Sequence, residues 1–163
     1  MTSVVPRATT ELVAVAWLKG VVGDIVATTV PRTPETGTPA WAATGFVTVR
    51  ASSGNPHMYV PMRRPVVLFD CFATDGQSTK PPWSKANGLA AAIVEATYDH
   101  DTMQRLLNLP AGYGYPQARV KSAFIVQEPR RPVVPGAGEQ SADIGSWAKV
   151  TGAIELHWVE VRT

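Results

Sequence analysis

The stretch Lys149-Val-Thr-Gly-Ala-Ile-Glu-Leu-His-Trp-Val-Glu-Val161 decides the fold. Val150, Ile154, Leu156 and Trp158 share one parity, and Lys149, Thr151, Glu155 and His157 the other. That period of two marks a strand with one buried and one wet face. Upstream, Arg119-Val-Lys-Ser-Ala-Phe-Ile-Val-Gln-Glu128 reads the same way, with Val120, Phe124 and Val126 on a common face. Such strands pair antiparallel. Residues 129–148 join them and are rich in Pro, Gly and Arg. An ordinary connection takes about 2 to 6 residues, so this one predicts a protrusion.

Working outward, Pro81 and Pro82 open a helix over Trp83–Thr97, because a first-turn N–H has no intrahelical partner to lose. Trp83, Ala86, Leu89, Ala90, Ile93 and Val94 form its apolar stripe. A first helix starts at a Thr9 or Thr10 cap, carries Glu11 in its first turn, buries Val13, Ala16, Trp17 and Gly20, and ends near Gly20 to Gly23. The Pro-rich segment 30–39 is a loop. Trp41–Ala51 reads as a strand with Trp41, Val47 and Val49 inward. After a turn at 52–56, Met58–Ala73 holds the continuous run Val66-Val-Leu-Phe69, suited to a strand covered on both sides, with Pro61 and Pro65 confining its start to an edge or bend. A short helix is expected within Asp101–Leu109, followed by a turn at 110–116. The expected fold is one α+β domain spanning 1–163: a mainly antiparallel four-stranded sheet on two principal helices, with long loop or hairpin extensions.

Composition excludes several classes. A formal charge of +2 without a basic run longer than a pair gives no footprint for nucleic acid. No apolar stretch reaches membrane-spanning length, and the run Leu12–Leu18 lacks the basic flank of a signal peptide. Cys71 is the one cysteine, set among Leu68, Phe69 and Phe72, which suggests a buried thiol and a reducing compartment. His57, His100 and His157 are far apart, so no zinc pattern exists, and Asp99-His100-Asp101 reads as a polar helix end. No Gly-x-Ser-x-Gly elbow occurs, and Gly112-Tyr-Gly114 is a turn between prolines. No catalytic residue, metal or cofactor is therefore assigned.

Asp70 interrupts an apolar strand and must be paired or neutral; the expectation is a structural buried carboxylate, with Arg63 or Arg64 as candidate partner, over an acid or base at a site. The pairs Arg63-Arg64 and Arg130-Arg131 flank prolines at strand ends, where arginine serves either as solvated surface or as an interface anchor. The candidate subunit interface comprises Arg63, Arg64, Arg130, Arg131, Val133, Val134 and Trp147, together with two extensions, Pro129–Trp147 and Ala51–Pro61. The five tryptophans fall mostly on expected inner faces and read as core.

Glu11-Leu-Val-Ala-Val-Ala-Trp-Leu18, Val26-Ala-Thr-Thr-Val-Pro-Arg32, Arg64-Pro-Val-Val-Leu-Phe-Asp70, Pro82-Trp-Ser-Lys-Ala-Asn-Gly-Leu89 and Leu156-His-Trp-Val-Glu-Val161 together resemble tail terminator (tail completion) proteins of long-tailed actinobacterial phages. The likeness covers most of the chain. It implies a virion protein of the tail and neck, built in the host cytoplasm, that forms a ring, typically a hexamer. The ring would stop growth of the tail tube and join it to a head connector or stopper protein. DNA would pass its lumen without sequence-specific contact. A head–tail adaptor or stopper is the alternative, and a small enzyme using Asp70 a more distant one.

Overall fold

The computed structural model describes residues 6–32, 37–132 and 147–161. Its elements run α1 (Thr10–Val22), β1 (Val26–Ala27), β2 (Phe46–Ser53), β3 (Val66–Thr74), α2 (Trp83–Tyr98), α3 (His100–Met103), β4 (Leu106–Leu107), β5 (Gln117–Arg130) and β6 (Trp147–Val161). The sheet has six strands in the order β1-β2-β3-β6-β5-β4, where four were expected. The four long strands are the anticipated ones and pair antiparallel. The additions are the two-residue edge strands β1, parallel to β2, and β4, antiparallel to β5. Segments so short carry no periodicity for a sequence to show.

β6 is central. It pairs with β3 from Val66↔Glu155 to Thr74↔Trp147 and with β5 from Gln117↔Val161 to Arg130↔Thr151. Its inward residues Val150, Ile154, Leu156 and Trp158 are buried as the alternation requires. They meet Val67, Phe69, Cys71 and Ala73 of β3 and the Ala86, Ala90 and Ile93 stripe of α2 in one core. Gly152 completes that row, because Phe69 stands directly across and leaves no space for a side chain.

Thr9 caps α1 by accepting from the Leu12 N–H at 3.3 Å, and Gly23 closes it. The buried residues are Val13, Ala14, Trp17 and Leu18, while Gly20 faces Arg105 outside the core. The indole of Trp17 donates to the Met103 carbonyl at 3.1 Å, and the Arg105 guanidinium donates to the Trp17 carbonyl. A Cβ on Gly20 would stand 1.6 Å from Arg105 Nη1. Ala16 is half-buried and Gly20 exposed, so the expected buried face is corrected at both positions.

Three local expectations are corrected. Trp41 lies in a turn preceding β2, although it remains buried against Trp147 with ring centroids 4.9 Å apart. The Val66–Phe69 run is covered on one face only: Val67 and Phe69 are buried, Val66 and Leu68 half-buried. In β5 a register shift between Val120 and Ser122 inverts the alternation. Ala123 then points inward and Phe124 and Val126 outward, 52% and 50% exposed. A bulge inserts one unpaired residue, so the side chains that follow it change face; further shifts occur between Ile125 and Gln127 and between Gln127 and Arg130.

Candidate subunit-contact surfaces

Among the described residues the sheet ends in two open edges. β4 pairs only with Ala118 and Arg119, and Val120 donates to the Arg105 carbonyl at 2.9 Å. From Lys121 to Arg130 the outer edge of β5 has no strand partner among the described residues. On the opposite side β1 pairs only with Val47 and Thr48, so Val49–Ser53 of β2 is likewise open among the described residues. Open edges present unpaired N–H and C=O groups that another chain can extend. β5 adds Phe124 and Val126 to that backbone, and Pro129 closes its far end by removing a donor.

A second feature is the connection between β2 and β3. Arg63 pairs with Trp158 through hydrogen bonds of 2.9 and 3.0 Å, so the segment stays attached to β6 before turning back. Beyond this anchor Met58 and Tyr59 project, 82% and 83% exposed. Backbone bonds from His57 to the Met62 carbonyl (2.9 Å) and from Met62 to the Val60 carbonyl (2.7 Å) hold the tip.

The arginines singled out in the sequence occupy different settings. Arg63 is engaged within the chain: it donates to the Ala8 carbonyl at 2.6 Å and to Glu160 at 3.3 Å, and lies over the Trp158 ring at 4.7 Å. Arg64 is half-buried, and its Nε has no hydrogen-bond partner among the described residues. Arg130 is exposed at the end of β5, and Arg131 lies over the Trp83 ring at 3.8 Å. Trp147 packs edge-on against Trp41 and Phe72 at the opposite end of the sheet from Arg63. Val133 and Val134, and most of the Pro129–Trp147 extension, lie outside the described residues.

Asp70 pairs with Lys149 on β6 at 3.6 Å, in place of Arg63 or Arg64. The register explains the difference: Asp70 stands opposite Thr151, near Lys149, whereas Arg63 stands opposite Trp158. Burial, and secondarily the Asp70 charge, push the neighbouring Cys71 thiol up to about 12. His157 contacts Glu155 at 2.6 Å and sits six positions from Thr151 along β6, roughly 20 Å from Asp70 at 3.3 Å per residue. Asp70 and His157 thus do not converge on one site. Among the described residues no three His, Cys, Asp or Glu side chains gather where they could hold a metal. No helix among them is long and apolar enough to cross a membrane.

Sequence reading missed Glu160, whose side chain is 9% exposed. It accepts from Arg7 at 3.2 Å, from the Ala8 N–H at 3.2 Å and from Arg63 at 3.3 Å, tying the segment before α1 to the end of β6. The available signal was its parity with Trp158. Comparison with family profiles and with curated proteins finds no match. Among solved structures, one described as the virion of native gene transfer agent (GTA) particle aligns over 91% of this chain and 88% of its own, at 16% identity and a TM-score of 0.45.

Proposed function

We propose that this chain is a structural virion subunit that closes into a ring, typically a hexamer, at the head-proximal end of a phage tail. There it ends growth of the tail tube and offers a surface to the head connector or stopper protein. The observation that carries the contact is the edge of β5, open among the described residues, with half-exposed Phe124 and Val126. Exposed Phe124 and Val126 stand among the charged Lys121, Glu128 and Arg130 along this edge, and unpaired edge backbone can be covered by another chain. β2 and β5 run antiparallel to one another through the intervening β3 and β6. Copies placed side by side in one orientation therefore bring β5 of one against β2 of the next as antiparallel neighbours. Two different edges meeting head to tail form a heterologous contact, which generates a ring wherever its rotation closes. The resemblance to tail terminators supplies the place of that ring in the virion.

Native mass spectrometry, alone and with purified tail tubes, tests this reading. A ring is expected, with Phe124→Lys/Val126→Lys dissociating it while leaving the melting temperature of the subunit within a few degrees. A protein that stays monomeric under all conditions, tail tubes included, refutes it. Binding to filled heads without binding to tubes favours an adaptor or stopper.

A further inference from the structure

One chain carries both a projecting apolar knob and an apolar recess. The knob is the β2–β3 tip, where Gly54-Asn-Pro-His-Met-Tyr-Val-Pro-Met62 contains no Lys, Arg, Asp or Glu and leaves Met58, Tyr59 and Val60 exposed. Interface cores are depleted of charge and enriched in Tyr and Met. The tip is also held in shape by its backbone bonds and by the Tyr59 N–H donating to His57 Nδ1 at 3.2 Å. A pre-shaped segment loses little freedom when it docks.

The recess is a groove of about 420 Å³ between α1 and the connection from β4 to β5, with Leu12, Val15, Ala16, Leu109 and Pro110 as walls. A second groove of about 500 Å³ shares Leu12 and Val15, adds Tyr115, and reaches Val26, Ala27 and Thr28 at β1, on the β2 side of the sheet. Both lie in the size range of pockets that bury drug-sized groups, enough for an aromatic side chain and a neighbour. Lys19 and Asn108 also line the first groove, and Thr9, Glu11 and Thr28 the second; Lys19 is already paired with Asp24 at 2.6 Å. A contact surface likewise combines apolar and polar groups.

Position links the two. Ser53 and Val66 at the base of the knob are level with Glu155 of β6, and from there the segment passes Arg63, opposite Trp158, towards the level of Gln117, which stands opposite Val161 on the β5 side beside the first groove. Joining β5 of one copy to β2 of the next sets the neighbour's knob beside this recess. We propose that Met58, Tyr59 and Val60 of one copy seat in the α1 groove of the adjacent copy, locking the ring contact begun by the sheet edges. This rests on the ring reading above.

Two variants test it by native mass spectrometry at matched concentrations. Met58→Glu/Tyr59→Lys alters only exposed side chains; Leu12→Lys alters the wall, with Leu12→Gln as a milder version should the lysine unfold α1. Each alone is expected to weaken association about 30-fold or more, the effect of losing a central anchor. Mixed in equal amounts, the two variants retain one sound knob and one sound recess per pair, so heterodimers form without closed rings. Wild-type-like rings from either folded variant, or a mixture without heterodimers, overturn the docking while leaving the ring intact as a reading. A wild-type protein that never assembles refutes the ring itself.

Discussion

Gly152→Ala probes the tightest point of the core. Its Cβ would stand 2.5 Å from Cζ of Phe69 and 3.0 and 3.1 Å from Cε1 and Cε2. Phe69 is fully buried and paired with Gly152 across the β3–β6 ladder, so the ring has no route to solvent. Two effects oppose each other. Alanine narrows the freedom of the unfolded chain, worth about 0.4 to 1 kcal/mol in favour of folding. Overpacking a filled core costs about 1 to 3 kcal/mol, and at 2.5 Å the upper part of that range applies. The expected net loss is about 1 to 2 kcal/mol, which at roughly 2 to 4 °C per kcal/mol lowers the melting temperature by about 2 to 8 °C. Urea unfolding followed by tryptophan fluorescence reads it, at fixed protein concentration because assembly adds to apparent stability. Phe69→Leu withdraws the ring edge at a cost of about 1 to 2 kcal/mol by itself. The double variant should fall short of the sum by about 1 kcal/mol, because residues in contact couple. A Gly152→Ala protein as stable as wild type, or strict additivity in the double variant, would refute the packing account.

Two further outcomes are expected. Glu160→Gln removes the charge that holds Arg7, Ala8 N–H and Arg63, so stability should fall by about 1.5 to 3 kcal/mol and amide exchange at the start of α1 should quicken; a loss below about 0.5 kcal/mol would show the network to be dispensable. The folded Cys71 pKa is raised from 9.0 to about 12, so its contribution is whole below pH 9 and is lost as pH climbs towards 12. Wild type should therefore lose more unfolding free energy than Cys71→Ala over that window, and parallel profiles would contradict it.

The long elements were legible because their signals are periodic. α2 begins at Trp83 as its two prolines require, and β6 alternates as read. What escaped depended on pairing. The bulge after Val120 has no mark in the sequence, yet it turned Phe124 and Val126 from expected core into exposed edge. Asp70 was assigned an arginine near it in sequence, whereas cross-strand register supplied Lys149. Glu160 drew no reading because its partners, Arg7, Ala8 and Arg63, are brought to it by the ends of two other segments.

The central place of β6 has a consequence for timing. Ile154 pairs with Val67 and Ile125, and this middle strand follows the other described strands of the sheet in chain order. Pairings of such long sequence separation form slowly, on a scale of roughly milliseconds to seconds. Until β6 inserts, β2 with β3 and β5 with β4 are separate ribbons, and no sheet carries β2 on one flank and β5 on the other. In the proposed ring, a nascent chain would therefore lack one of the two edges of a head-to-tail contact until β6 is in place.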